Sequence, residues 1–233
     1  MRDYNNLNWP DGPFGAEFRP FGKPSKMLAS VAVEWAESAS GPVPVCTSVV
    51  YLRVKPAQTL QVDESSLAIG FRTSVVESTA GVADQVSAFD RCLVGARRHA
   101  TILAGHILED DLDRLDQTSH RRLPGVAGVR EAWADRSVKG RGLATMVDTG
   151  FDLDGLPPPL DVPLASHPVS VPATPAEITQ VAQQGLQRCL AIGLMAAVHA
   201  DRMTWADTFR VTAAVANAAW DMFDAEARHA LAA

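Results

Sequence analysis

Cysteines are few in this sequence and long apolar runs are absent, and each shortage excludes a class of protein. The three cysteines, Cys46, Cys92 and Cys189, form no CxxC or CxxxC pair, which excludes a disulfide framework and a thiolate zinc site. No apolar run reaches the roughly 18 residues that a transmembrane helix needs, so we expect no association with a membrane. The first residues, MRDYNNLNWPDGPFG, lack the apolar segment of a secretory signal, and we therefore expect a cytoplasmic protein.

The signature motifs of several enzyme classes are also absent. The chain has no GxxxxGK or GxGxxG phosphate-binding loop, no GxSxG nucleophile elbow and no HExxH zinc motif. Of its 21 basic residues only four are lysines, so nearly all of its cationic groups are guanidinium groups. The net charge of -6 at pH 7 argues against a protein that binds nucleic acid with its whole surface.

Length and composition predict one folded domain with an N-terminal extension. The 233 residues are 47% hydrophobic, which suits a single compact core. Residues 1–26 are rich in proline, glycine and aromatic residues; we expect an irregular arm that lies against the domain or a partner. Residues 27–233 are predicted to form a single α/β domain.

Three apolar segments near the start of this domain predict a meander of strands. They are SVAVEW, VPVCTSVVYLRV and LAIGF, and turn-forming residues separate them. The first segment also fits an amphipathic helix, because Leu28, Val31, Ala32 and Trp35 recur at helical spacing. We favour a strand because the β-branched residues Val31 and Val33 precede a GPVP break.

Helices and strands alternate in the rest of the sequence. Apolar spacing predicts a helix between Gly81 and Ala100, a buried strand at TILAGH, helices at ILEDDLDRL and around VREAWADR, and a second buried strand at ATMVDT. A proline-rich connection covers residues 151–173. The pairs Thr174 with Glu177 and Thr204 with Asp207 read as capping boxes that begin two C-terminal helices.

The segment ILAGHILEDDLDRL resembles the second motif of the DEDD superfamily of 3'-5' exonucleases. In that motif a strand runs into Gly-His-Asn, and a metal-binding Asp follows. Here Gly105 and His106 match and Asp111 stands at the position of the Asp, whereas Ile107 replaces the usual Asn and Asp110 the usual Phe. The resemblance implies an RNase H-like fold, with a mixed central sheet flanked by helices, over roughly residues 27 to 200.

The chemistry of that family requires four carboxylates that hold two divalent cations. Within VAVEW, Glu34 matches the Glu of the first motif, but Ala32 stands where the Asp belongs. The position of the last Asp corresponds to Arg188. The resemblance therefore implies that Glu34 and Asp111 remain as metal ligands, with Asp148 as a candidate third. Two or three carboxylates are enough for a single weak Mg²⁺ or Mn²⁺ site.

Further residues complete the predicted site. His106, which matches the motif, and Asp148, in the segment ATMVDT, are the candidate catalytic residues. Arg188 is predicted to bind a phosphate group with its guanidinium, unless it is simply a surface residue. Arg141, in the basic segment DRSVKGRGLAT, is a second candidate phosphate contact or part of a solvated loop.

These observations predict a protein of exonuclease-like fold that has lost two-metal catalysis. Such a protein would bind nucleic acid, a nucleotide or a protein partner through the remaining cleft. Two alternatives stay open. One is an active metal-dependent 3'-5' exonuclease whose missing ligand comes from Asp148, Asp152 or Asp110. The other is a structural module that forms a homodimer through its apolar C-terminal helices.

Overall fold

The computed structural model describes residues 1–7, 26–38, 41–55, 57–134, 143–153, 160–167 and 169–231. These residues form the predicted α/β domain, a mixed sheet with helices on both faces. In chain order its elements are β1 (Arg2–Asn5), β2 (Lys26–Ser38), β3 (Gly41–Val54), β4 (Leu60–Gln61), β5 (Ile69–Val75), α1 (Val82–His99), β6 (Ile102–Gly105), α2 (Leu108–Thr118), α3 (Pro124–Ala134), β7 (Thr145–Asp148), α4 (Pro175–His199), β8 (Met203–Thr204) and α5 (Val211–Leu231).

The main sheet has six strands in the order β1-β5-β3-β2-β6-β7. Strands β2, β3 and β5 form the predicted antiparallel meander, and β6 and β7 run parallel to β2. Helix α1 joins β5 to β6, and helices α2 and α3 join β6 to β7, as crossovers to parallel strands require. The carboxyl ends of β2, β6 and β7 therefore meet at one edge of the sheet, where α/β proteins place their sites.

Strand β2 is buried on both faces, which explains its continuous apolar sequence. Leu28 and Ala32 belong to the core on the α4 side of the sheet, whereas Val31 and Trp35 belong to the core on the side of α1, α2 and α3. The strand prediction for this segment is confirmed. The helical spacing of these four residues was misleading because side chains on a strand alternate between two separate cores.

Helix α4 packs very closely on the sheet. A Cβ atom added at Gly185 would lie 2.8 Å from Cys46 Sγ, and one at Gly193 would lie 2.7 Å from Ser30 Oγ. The absence of side chains at these two positions lets the helix backbone approach β2 and β3. Neither α4 nor any other helix in the described part of the chain is long and apolar enough to cross a membrane.

Two expectations about the chain ends differ from the structure. Thr204 with Asp207 was predicted to begin a helix, but Thr204 lies in β8 and the last helix, α5, begins at Val211. Asp161, in the proline-rich connection, accepts a hydrogen bond from Val211 N at 2.7 Å and so caps α5 instead. In the expected irregular arm, Arg2–Asn5 form β1, which pairs antiparallel with β5, while residues 8–25 lie outside the described residues.

Candidate active site

A buried ion pair between Glu34 and Arg188 joins β2 to α4. Arg188 Nε donates to Glu34 Oε1 at 2.5 Å, and the two side chains are only 6% and 5% exposed. The guanidinium also donates to the carbonyl oxygen of Val33 at 2.7 Å and to that of Leu164 at 3.1 Å. Ser166 Oγ donates to the other carboxylate oxygen of Glu34 at 3.0 Å. The proline-rich connection thus lies against the pair and helps to seal it from water.

The close packing of α4 explains why these two side chains meet. Gly185, one turn before Arg188, faces Glu34, because a Cβ at this glycine would lie 3.6 Å from Glu34 Cγ. A guanidinium group stays charged at all ordinary pH values. The position at which the resemblance places a metal-binding Asp therefore carries a fixed positive charge that neutralises Glu34.

Asp111 lies on the other side of β2, in the first turn of α2. Its Oδ1 accepts a hydrogen bond from Trp35 Nε1 at 2.7 Å, and the guanidinium of Arg114 lies 5.7 Å from the centre of the Trp35 ring. Burial raises the pKa of Asp111 to about 6, and the positive charge of Arg188 and the Trp35 hydrogen bond oppose that shift. Glu34 and Trp35 are consecutive in a strand, so their side chains point to opposite faces of the sheet. Asp111 bonds to Trp35 on one face, whereas Glu34 bonds to Arg188 on the other.

The Asp148 carboxylate holds together the corner where β6 and β7 end. Its Oδ1 accepts from Ile107 N at 3.0 Å and from Gly150 N at 2.9 Å, and its Oδ2 accepts from Trp133 Nε1 at 3.1 Å. Asp152 supports the same corner by accepting from Asp148 N at 2.7 Å. Three donors occupy the carboxylate, which is the pattern of a residue that positions the backbone. Its catalytic role stays a prediction.

His106 follows β6 directly and faces the same edge of the sheet. Its Nδ1 lies 3.1 Å from Thr149 Oγ1, which itself donates to the carbonyl oxygen of Gly105 at 3.1 Å. Since the Thr149 proton is used in that bond, Nδ1 of His106 is the donor. Nε2 has no partner among the described residues and can accept a hydrogen bond. Burial lowers the pKa of His106 and Arg188 lowers it further, so the imidazole is neutral at pH 7.

A cleft of about 730 Å³ opens at this edge of the sheet. Of the residues predicted from the sequence, His106, Asp110, Asp111 and Arg188 line it together, whereas Glu34, Asp148 and Asp152 are not among its lining residues. Arg141 falls outside the described residues, so its predicted phosphate contact is not tested. The lining residues are Trp35, Glu37, His106, Ile107, Asp110, Asp111, Arg114, Ala165, Ser166, His167, Val169, Ser170, Val171 and Arg188.

Sequence reasoning missed the wall that the proline-rich connection contributes. Ser166 and His167 belong to a segment without periodicity, and nothing local indicates that it folds back over β2 and α4. Trp35 entered the sequence analysis only through its helical spacing, and its contact with Asp111 was not foreseen: the ring packs in the core and its N–H donates to the carboxylate of Asp111. The one sequence feature that could have indicated the bond between Trp35 and Asp111 is the position of a tryptophan, whose N–H needs a partner when buried, directly after Glu34.

The described residues do not show a cation site. In this part of the chain no group of three or more His, Cys, Asp or Glu side chains is arranged to hold a metal ion. Glu34 is bound by Arg188 and Ser166, and Asp111 is bound by Trp35. Binding of Mg²⁺ or Mn²⁺ to Glu34 and Asp111 stays a prediction, to which this arrangement lends no support.

Comparison with known proteins adds no identification. No protein-family model, no curated protein and no solved structure matches this chain. Any statement about function therefore rests on the geometry of the cleft and on the topology of the sheet.

Proposed function

We propose that this chain is a binding protein with an RNase H-like, exonuclease-type fold that no longer performs two-metal catalysis. The topology supports this proposal. After the short edge strand β1, the antiparallel strands β2, β3 and β5 precede helix α1. The parallel strands β6 and β7 then extend the sheet beside β2, and the long helix α4 packs on β2. This is the order that the resemblance to DEDD exonucleases implies.

The observation that carries the proposal is the buried ion pair of Arg188 with Glu34. Two-metal catalysis needs carboxylates that are free to coordinate cations on one side of the first strand. Here a guanidinium lies 2.5 Å from the one acidic residue retained from the first motif. A divalent cation would have to displace that permanent charge from a buried site, which is strongly unfavourable.

The cleft favours a nucleotide, either free or at the end of a single strand, as the ligand. Its volume of about 730 Å³ falls in the range of small-molecule sites. Arg114 is exposed and supplies a guanidinium group that suits a phosphate, and Nε2 of the neutral His106 suits a sugar or base donor. Arg188 is already bound to Glu34, Val33 and Leu164 and contributes its positive charge from the wall of the cleft. The acidic residues Asp110 and Asp111 limit how much of a phosphate backbone can enter, which favours one nucleotide over a long strand.

The test is a binding and cleavage assay on the purified chain. Single-stranded DNA and RNA with a 5' fluorophore are titrated in EDTA and followed by anisotropy, and the same oligonucleotides are incubated with Mn²⁺. We expect saturable binding without metal and no release of mononucleotides. His106→Ala should weaken binding by about tenfold, or about 1.4 kcal/mol. The matched control His120→Ala removes an exposed histidine outside the cleft and should bind as the unchanged chain does.

Three results would contradict the proposal. Release of mononucleotides in Mn²⁺ that Asp111→Ala abolishes would favour the active exonuclease, with its carboxylates rearranged. Absence of any oligonucleotide or nucleotide binding, together with a stable dimer in light scattering, would favour the structural module. Equal loss of binding in His106→Ala and His120→Ala would show that the ligand does not occupy the cleft.

A further inference from the structure

A second, smaller groove lies at the opposite end of the parallel strands. Its volume is about 380 Å³, and it is bounded by the first residues of β2, β6 and β7 and by the end of α4. The cleft described above lies at the carboxyl ends of these strands, so β6 separates the two cavities along its length. The groove is lined by Lys26, Val54, Thr101, Ile102, Thr145, Val147, His199, Ala200 and Arg202.

The charged residues in this lining are all basic. They are Lys26, His199 and Arg202, and the lining contains no Asp or Glu. Within the described part of the chain, the side chains of Lys26 and Arg202 have neither an ion pair nor a hydrogen bond. Asp201, which precedes Arg202 in sequence, is exposed and does not line the groove. In a chain of net charge -6, a groove lined by basic side chains without acidic partners calls for a structural or functional explanation.

The end of helix α4 does not by itself supply that explanation. Cations are favoured at a helix C-terminus because its last carbonyl groups lack partners. Here the carbonyl oxygens of Ala196, Ala197 and Val198 accept from backbone N–H groups of the three residues that follow the helix. Only His199 lies within the helix, whereas Lys26 comes from β2, on a different part of the chain.

The floor of the groove is apolar, and a hydroxyl group lies at its side. Val54, Ile102 and Val147 are at most 9% exposed and form part of the core on the α4 side. Thr145 Oγ1 makes no hydrogen bond within the described residues, so it is available as a donor. A groove of this size with a cationic rim, a hydroxyl donor and an apolar floor suits a small molecule that carries a phosphate group.

We propose that this groove binds a small phosphorylated molecule. Lys26 and Arg202 hold the phosphate, Thr145 donates to it, and the carbon skeleton of the ligand lies on Val54 and Ile102. The inference does not depend on the function proposed for the cleft, because the two sites share no lining residue.

Isothermal titration calorimetry on the full chain tests this site, with inorganic phosphate and ribose 5-phosphate as the two probes at constant ionic strength. We expect saturable binding of both, with ribose 5-phosphate the tighter because it also covers the apolar floor. The double variant Lys26→Gln/Arg202→Gln should weaken both at least tenfold. The control Arg98→Gln removes an exposed guanidinium on α1 and should leave both affinities unchanged.

Several outcomes would overturn the inference. These are the absence of saturable binding in the unchanged chain, unchanged affinity in the double variant, and equal loss in Arg98→Gln. Equal affinity for inorganic phosphate and ribose 5-phosphate would show that the apolar floor does not contribute to binding, and the ligand would then not be an organic phosphate. Lys26→Arg serves as the folded control, since it keeps the charge and should keep binding. The variant Lys26→Gln/Arg202→Gln should still bind oligonucleotides, because these are proposed to bind in the cleft and not in this groove.

Discussion

At the scale of single residues, the Glu34–Arg188 pair decides how the candidate site is interpreted. A buried ion pair stabilises a fold only weakly compared with an apolar pair of equal volume, but removing one partner leaves an uncompensated charge. We expect Arg188→Met to lower the free energy of unfolding by about 3–5 kcal/mol, because Glu34 would then be buried and ionised without a counterion. Urea unfolding followed by circular dichroism measures the change.

A double-mutant cycle shows whether the charge itself is responsible. Glu34→Met combined with Arg188→Met should cost clearly less than the sum of the two single variants, since neither charge then remains alone. Arg130→Met is the matched control, because Arg130 pairs with Asp113 and Asp116 at the surface with 42% of its side chain exposed. That control should cost less than about 1 kcal/mol. Additive costs in the cycle would mean that the buried pair is not coupled.

At the scale of elements, the turn between β6 and α2 contains a strained residue. Ile107 adopts φ 52° and ψ 42°, the left-handed region that β-branched residues avoid. Its N–H and that of Gly150 share Asp148 Oδ1, and a Cβ at Gly150 would lie 2.8 Å from Ile107 Cγ1. The corner between β6 and β7 thus holds Ile107 in an unfavourable backbone conformation, and the missing side chain of Gly150 leaves space for the Ile107 side chain.

We predict that Ile107→Gly stabilises the chain and that Gly150→Ala destabilises it. Relief of the strained backbone should raise the free energy of unfolding by about 0.5–1 kcal/mol, since the Ile107 side chain is 42% exposed and loses little burial. Gly150→Ala should cost about 1–3 kcal/mol through the clash, and less in the Ile107→Gly background. Thermal and urea unfolding of the four chains measure both effects. Destabilisation by Ile107→Gly would mean that the side chain contributes more than the strain costs.

Local signals predicted elements well where both ends of an interaction are close in sequence. Thr174 Oγ1 accepts from Glu177 N at 3.2 Å, which confirms Thr174 as the N-cap of α4. The reciprocal bond differs from the predicted capping box, because Glu177 Oε2 accepts at 2.7 Å from the N–H of Ala173, one residue before the cap. The same reasoning failed at Thr204 because α5 takes its cap from Asp161, 50 residues before Val211. A cap supplied by a distant segment leaves no local pattern to read.

The same limit applies to the candidate site. His106 and Asp111 line the same cleft because they lie close in sequence, at the end of β6 and in the first turn of α2. The resemblance also pointed to Arg188, at the position of the family's last Asp. The bond of Arg188 to Glu34 spans 154 residues, however, and depends on how closely α4 approaches the sheet. The bonds that Asp148 makes to Trp133 and Ile107 come from two further elements. Such contacts follow from packing, which residue spacing alone does not encode.

At the scale of the whole molecule, Tyr4 joins the first strand to the last two helices. Its ring centre lies 5.0 Å from that of Phe223 in α5, and its hydroxyl lies 3.3 Å from Thr179 Oγ1 in α4. The side chain is only 4% exposed, although β1 is an edge strand of four residues. A strand this short carries too little pattern to be recognised, yet it connects both ends of the described chain.

We therefore predict that Tyr4→Ala loosens α5 as well as β1. The variant should lose about 3–5 kcal/mol of unfolding free energy, as other buried aromatic truncations do. The amides of α5 should exchange with deuterium much faster, while those of α2, on the opposite face of the sheet, change only with global stability. Tyr4→Phe keeps the ring and should cost no more than about 1.5 kcal/mol. Equal acceleration of α2 and α5 in Tyr4→Ala would contradict this picture, because it would mean that the chain ends unfold only with the whole domain.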